Sequence, residues 1–332
     1  MNPKDIPANE LIEAEYSSQS LAVIGEVLAI SRINGADFIQ LATIDCAKAG
    51  IWSGVVPVST QCDDRVLVFL QDAILPPDPR WAFMERHHWR VRMARFKGVP
   101  SECVALPALP HEAAMEIGTD MMTALGITKH ENPLPKEMTG IASGTFPSYI
   151  PKTDEPNFQR LKNVAGLMGD CFWYATEKAD GTSCTVFNDE TMRVCSLNLE
   201  LIEGDNIYWR MAHKYALNLI PGRMALQFEI VGPGIQGNPM GLDQNEIRVF
   251  TGYVFEKSGG FRMTRNQPVT ICEYAQLPMA RLTHEGYGAV DAEKLRKMAE
   301  IKYANGRPGE GIVIRSVDSS WSFKVLNLLY KD

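Results

Sequence analysis

Between Glu177 and Gly181 the chain reads Glu-Lys-Ala-Asp-Gly, an amine and two carboxylates within five positions. A lysine amine is a nucleophile once it is neutral, and carboxylates hold hard cations through oxygen. A Lys-x-Asp-Gly tetrapeptide arises by chance in roughly one chain in ten of this size, so alone it is a weak signal. It fits equally a plain β-turn that ends on Asp-Gly with a solvated lysine. Its weight comes from the residues downstream of it and from their order. Phe228-Glu229-Ile230-Val231-Gly232 continues as Pro-Gly-Ile-Gln-Gly-Asn, and an aromatic stretch runs from Arg248 to Phe255. Glu310 stands immediately before the apolar run Gly311 to Ile314, and Lys324 sits within Ser322 to Val325.

These residues need elements to hold them. Apolar runs at 172–176, 182–187, 192–197, 225–231, 248–255, 311–315 and 321–326 predict strands, with helical patterns near 205–218 and 291–304. The second half therefore reads as mixed α/β. Residues 21–106 read instead as all-β, with short Val-, Ile- and Leu-rich runs at 21–30, 39–44, 55–58 and 65–70. Turn signals such as Asn34-Gly35 and Asp63-Asp64 separate them. That spacing predicts a small barrel or sandwich. A short helix is expected at 117–126, capped by Thr119 or Asp120 and stopped by Gly126. The Pro-, Gly- and Thr-rich stretch from Asn132 to Pro151 is the best linker.

Arg86, Arg90, Arg92, Arg95 and Lys97 fall within twelve residues that contain no acid, interleaved with Trp89 and Phe96. On a strand this pattern makes a basic, aromatic surface suited to nucleic acid strands, through phosphate neutralisation and stacking. The plainer reading is a strand with one solvated face.

The 332 residues exceed one ordinary core and imply two domains. The chain is 45% hydrophobic and 22% charged, with mean hydropathy −0.14, and no stretch is long and apolar enough to predict a membrane span. Early acids at Asp5, Glu10, Glu13 and Glu15 argue against a secretory signal. A net charge of −7 argues against binding nucleic acid by bulk charge, yet leaves room for a local basic face. Seven widely spaced cysteines without Cys-x-x-Cys fit neither a disulfide framework nor a zinc cage, and predict buried thiols in a reducing, cytoplasmic compartment.

Taken in order, residues 178–181, 227–231, 248–255, 310–315 and 323–325 resemble motifs I, III, IIIa, IV and V of the covalent nucleotidyltransferases. That superfamily comprises ATP-dependent DNA and RNA ligases and mRNA-capping guanylyltransferases. The resemblance implies an α+β protein in which Lys178 attacks the α-phosphorus of ATP to form a lysyl-AMP phosphoramidate. Asp180, Glu229 and Glu310 would hold Mg²⁺ or Mn²⁺, and Lys324 would assist at the phosphates. Glu177, Gly181, Asn198, Phe250 and Arg315 would bind the nucleotide, with Phe250 stacking on adenine and Tyr253 and Phe255 as alternates. An unperturbed lysine titrates near about 10.4, so the metal and Lys324 are expected to favour the neutral amine.

Ligases of DNA and capping enzymes carry a further OB domain after motif V, whereas here eight residues come after Lys324. The barrel-like unit precedes the lysine, so the order resembles ATP-dependent RNA ligases with an N-terminal OB module. The stretches Arg92 to Pro107, Ile117 to Thr128 and Pro147 to Glu155 resemble the same group. The implied architecture is an OB-like β-barrel domain at 1–131, a linker at 132–150 and a nucleotidyltransferase (ATP-grasp-like adenylation) domain of antiparallel sheets and helices at 151–332. The implied activity is sealing a 3′-OH RNA end to a 5′-phosphate, at nicks in RNA or RNA with DNA, by a monomer that needs no membrane. A DNA ligase, a mixed-strand joiner and a non-catalytic nucleic-acid-binding relative stay open as alternatives. Two positions depart from the pattern: Leu197 and Asn157 stand where these ligases commonly carry arginine. Arg160 and Arg193 are the candidate substitutes, and losing one charge-assisted phosphate contact costs about 1.5–3 kcal/mol.

Overall fold

The computed structural model describes residues 20–130, 141–161, 163–256 and 259–330. Residues 1–19 and 131 of the expected first domain, 132–140 of the expected linker, and Lys331 and Asp332 lie outside them. The chain divides into two units, one of residues 1–132 with 159–162, the other of 133–158 with 163–332.

Period-two burial organises the first unit. Its strands are β1 (Ala22–Arg32), β2 (Ile39–Asp45), β3 (Ile51–Pro57), β4 (Arg65–Phe69), β5 (Ala73–Ile74), β6 (Ala94–Phe96), β7 (Val99–Ser101), β8 (Cys103–Pro107) and β9 (Thr128–Lys129). β2 and β3 bury alternate residues, among them Ala42, Ile44, Trp52 and Val56, as strands with one face on a core do. β8 runs parallel to β3 and antiparallel to β4, closing the barrel β1-β2-β3-β8-β4 and leaving no free edge. The expected small barrel is therefore present as an OB-like closed sheet. The expected helix shrinks to Met122–Leu125, with Gly126 left-handed at its end.

The basic stretch departs from its predicted form. Arg86 lies in the last turn of a 3-10 segment (Pro79–His87), Arg90 makes a single bridge to Ile74, and only Ala94–Phe96 forms a strand, hairpinned with β7. Trp89 packs against the barrel core, so it is not an exposed stacking platform. Two successive left-handed residues, His88 and Trp89 (φ 53° and 62°), break the extended run that alternation required.

The second unit holds β10 (Ala142–Thr145), β11 (Phe172–Glu177), β12 (Thr182–Asp189), β13 (Thr191–Cys195), β14 (Leu199–Leu201), β15 (Met224–Val231), β16 (Glu246–Glu256), β17 (Gly259–Arg262), β18 (Leu282–Tyr287), β19 (Gly311–Ser316) and β20 (Ser322–Leu326). They form two antiparallel sheets, β10-β14-β13-β12-β15-β16-β17 and β18-β11-β19-β20. Within the stretch read as a linker, β10 pairs with β14. Helix Ile207–Lys214 is capped by Asn206, whose Oδ1 accepts from Trp209 N at 3.0 Å. It lays Tyr208, Trp209 and Met211 into a core with Val186, Phe228 and Val249 from the larger sheet. Asp291 caps helix Ala292–Met298 in the same way. Helix Asn266–Ala275 has no counterpart among the predicted elements. All seven cysteines are free thiols, five of them buried. Among the described residues no helix is long and apolar enough to cross a membrane.

Candidate active site

The chemistry-bearing residues converge where the two sheets of the second unit meet. Lys178 leaves the end of β11, and its N–H donates to Gly311 O at 2.8 Å, which ties it to the start of β19. Asp180 and Gly181 lead into β12, Glu229 lies on β15, Glu310 precedes β19 and Lys324 is on β20. Two glycines are fixed by close approach. A Cβ on Gly181 would stand 2.2 Å from Ile230 O and 2.8 Å from Glu229 Cγ. Gly311 has φ +144° and a Cβ there would meet Val325 O at 2.2 Å. Gly181 thus lets the lysine turn lie directly against the strand that carries Glu229.

Lys178 Nζ donates to Glu310 Oε1 at 2.6 Å, with 26% of the lysine side chain exposed. Burial pulls the amine toward neutrality, but Glu310, then Glu229 and Asp180, outweigh it and hold the ammonium well above its usual range. Burial pushes the Glu229 carboxyl up to about 8; Lys178 opposes the rise, while Glu310, Asp180 and Glu155 add to it. Lys324 donates to Asp154 at 3.2 Å. Three carboxylates thus surround one partly buried cation, the lysine itself, and the expected neutral amine requires a further cation to offset them.

Among the described residues no group of three or more His, Cys, Asp or Glu closes on one metal position. Glu310 is engaged by Lys178, and Asp180 accepts from the Tyr330 hydroxyl. The donors nevertheless suit a hard divalent cation. Glu310 Oε2 is buried with no hydrogen-bond partner, and the raised Glu229 carboxyl marks excess negative charge that a cation would relieve.

The expected nucleotide-binding residues fall into different settings. Arg315 is 2% exposed, donates to Glu155 at 2.8 Å and Thr176 at 3.1 Å, and lies 5.3 Å from the Phe250 ring centroid. It thereby backs the aromatic face chosen for adenine. Of the alternates, Phe255 is buried with Phe146, Ile150 and Phe187, and Tyr253 packs on that same apolar cluster. The Glu177 carboxylate is 5% exposed and held by Arg281 at 2.7 Å, a structural pairing. Asn198 Oδ1 accepts from Lys152 at 2.7 Å, so a cation stands beside the turn that carries Leu197. Arg193 is engaged by Glu200 and the Phe187 ring, which removes it as the substitute, and Arg160 groups with the barrel unit. Asn157 is buried, and its Oδ1 has no partner among the described residues.

Sequence reasoning missed Tyr303 and Tyr330. Tyr303 OH donates to Lys178 O at 3.3 Å and accepts from Glu310 N at 3.1 Å, so it spaces nucleophile and acid. Neither tyrosine sits in a motif or at a periodic position, so no sequence signal pointed to them. Asp154 and Glu155 were visible only within the Pro147 to Glu155 resemblance, without roles.

Two predictions arise here. Glu155→Ala strands the Arg315 guanidinium in the interior and is expected to lower stability by about 3–5 kcal/mol, read from urea unfolding. Unchanged unfolding would show that Glu155 is not its essential partner. Any step that uses the neutral Lys178 amine accelerates with pH. Below the raised pKa, each pH unit increases the neutral fraction about tenfold. The logarithm of that step's rate should climb across the neutral range, and a flat profile contradicts the assignment.

Fold and site define a nucleotidyltransferase-like domain joined to an OB-like barrel. The RNA ligase family model matches residues 172–331. A Naegleria gruberi RNA ligase mutant with AMP and Mn superposes with a TM-score of 0.80 at 27% identity, over 93% of this chain and 97% of that one. The Naegleria gruberi RNA ligase with PPi, and a further mutant with ATP and Mn, each give a TM-score of 0.79 at the same identity and coverage. None of the curated protein sequences matches the chain. These matches support an ATP-dependent RNA ligase of the covalent nucleotidyltransferase superfamily.

Proposed function

We propose that the protein seals a 3′-OH RNA end to a 5′-phosphate end at nicks, consuming ATP through a lysyl-AMP intermediate on Lys178. The observation that carries this reading is the 2.6 Å contact of Lys178 with Glu310, with Asp180 and Glu229 acting on the same amine. Lys178 Nζ loses its proton and attacks the α-phosphorus of ATP, and pyrophosphate leaves. An oxygen of the RNA 5′-phosphate then attacks the AMP phosphorus, and the lysine amine leaves and regains a proton. Finally the 3′-OH attacks the activated 5′-phosphorus, AMP departs and the phosphodiester forms.

Asp180, Glu229 and Glu310 would hold Mg²⁺ or Mn²⁺. Bound there, the cation supplies positive charge at the phosphoryl oxygens and replaces the ammonium as counter-charge to the carboxylates. Glu310 thus has two states to serve, and its orphaned Oε2 leaves it able to do so. Lys324 and Lys152 are the cations available to phosphate oxygens. Phe250, backed by Arg315, is the face for adenine, while the carboxylate of Glu177 stays with Arg281.

For the RNA strand the reading uses Arg86, Arg90, Arg92, Arg95 and Lys97. Arg90 contributes at reduced strength because Asp72 holds it at 2.8 Å. The test compares sealing of nicked RNA duplex with labelling by α-labelled ATP. Charge reversal at Arg92 and Lys97 should depress sealing far more than labelling and flatten its salt dependence. Equal loss of both would contradict a role in holding RNA. Sealing of an all-DNA nick as fast as RNA would overturn the RNA specificity.

A further inference from the structure

Three segments of the barrel unit enclose a basic pocket of about 320 Å³, lined by Arg86, His87, His88, Arg90, Arg92 and His130 with Ile74 at its wall. We propose that this pocket seats a single phosphate group of the RNA backbone; the proposal rests on the reading that the protein acts on RNA.

The cradle is set by backbone, not by free side chains. Leu75 N donates to Trp89 O and Val91 N to Ala73 O, at 2.9 and 2.8 Å, which stitches the 86–92 segment to β5. β5 pairs with β9, and His130 N donates to Asp72 O at 2.7 Å, which brings in the third segment. His88 and Trp89 are both left-handed, a costly conformation outside glycine. This turn sends Trp89 toward the core and leaves His87 and His88 on the pocket side.

The lining chemistry selects an oxyanion. Among the described residues the pocket is lined by three guanidiniums, of which Arg90 pairs with Asp72. Arg86 Nε donates to His87 Nε2 at 3.0 Å, which orients that arginine and leaves its terminal N–H groups for a ligand. Guanidinium forks and imidazole N–H groups match the acceptor oxygens of a phosphate, and among the described residues no lining residue is acidic. A nucleic acid strand is favoured over a free ion because the chain continues from Arg92 into the β6–β7 hairpin, where Arg95 and Lys97 extend the positive surface along a line.

The test measures binding of a fluorescein-labelled nicked RNA duplex to the full-length protein at several KCl concentrations. It uses Arg86→Ala, Arg92→Ala, their double variant and Lys97→Glu, each checked for an unchanged melting temperature. Each pocket variant should weaken binding about tenfold or more. Each should also lower the slope of log K against log salt by about 0.7–0.9, the share of one phosphate. Because both arginines serve that one phosphate, the double variant should lower the slope no further. Slope losses that add would mean two separate phosphates and overturn the proposal. If Lys97→Glu weakens RNA while the pocket variants do not, the pocket idea fails and the RNA reading stands. If none of them weakens RNA, the RNA reading of this unit fails with it. A second arm titrates inorganic phosphate at constant ionic strength. Phosphate that displaces RNA from wild type but not from the double variant supports the assignment. Phosphate that shifts the pocket histidine NMR signals while the double variant keeps full RNA affinity assigns the pocket to a free anion and overturns it.

Discussion

Lys178→Ala is expected to lose covalent labelling by ATP and overall sealing by at least roughly 10⁴-fold, the scale on which removing a covalent nucleophile acts. The same variant should still join RNA supplied with AMP already attached to its 5′-phosphate. In that last step the attacking group is the RNA 3′-OH and the leaving group is AMP, so no bond to Lys178 forms or breaks. The split separates chemistry from collapse. A misfolded variant fails with both substrates, whereas a variant that lacks only the nucleophile fails with one. Equal failure on both substrates in a protein with wild-type unfolding would mean that Lys178 serves all steps by charge.

Glu310→Ala carries the second large effect. Glu310 is the strongest counter-charge to Lys178, at 2.6 Å, and the carboxylate with an unpartnered buried oxygen. Its loss removes one hard oxygen ligand and one preorganised charge, and the expected fall in labelling rate is about 10²–10³-fold. The pH dependence shifts in a definite direction. With Glu310 present, the lysine pKa is raised, so the ammonium persists through the neutral range and the amine is released only as pH rises. Without it the largest counter-charge is lost and the pKa falls. The residual activity of Glu310→Ala should therefore reach its plateau at a lower pH than that of wild type. Binding of Mn²⁺, measured by calorimetry in the absence of ATP, should weaken in the same variant. Full Mn²⁺ affinity would place the metal on other ligands.

In the second unit β11, β12, β13, β15, β16, β19 and β20 were legible because each is a compact apolar run, whereas β10, β14, β17 and β18 are short or polar and left no such run. β15 and β19 show this most directly, with Glu229 and Glu310 placed by strands whose burial is nearly continuous. The barrel was legible up to its closure. β8 is a five-residue strand inserted between β3 and β4, a long-range pairing that local pattern does not encode. The 86–97 stretch misled because charge and aromatics alternate there, while two left-handed residues fold it into a turn. Within the site, residue types and order pointed to Lys178, Asp180, Glu229, Glu310 and Lys324. The protonation state was not legible, since it depends on a 2.6 Å contact between residues 132 positions apart. Tyr303 and Tyr330 were hidden for a related reason. Tyr303 OH bridges Lys178 O and Glu310 N and Tyr330 OH donates to Asp180, contacts that leave no periodic trace in sequence.

The most direct test of the central claim is to incubate the wild-type protein with α-labelled ATP and Mn²⁺, denature it, and challenge the label with acid and with alkali. Label that survives denaturation, is lost in acid but not in alkali, and maps to the Lys178 peptide is the expected result, because a phosphoramidate P–N bond is acid-labile. A folded protein that is free of bound AMP and takes up no covalent label, or that carries it on another residue, would contradict the account.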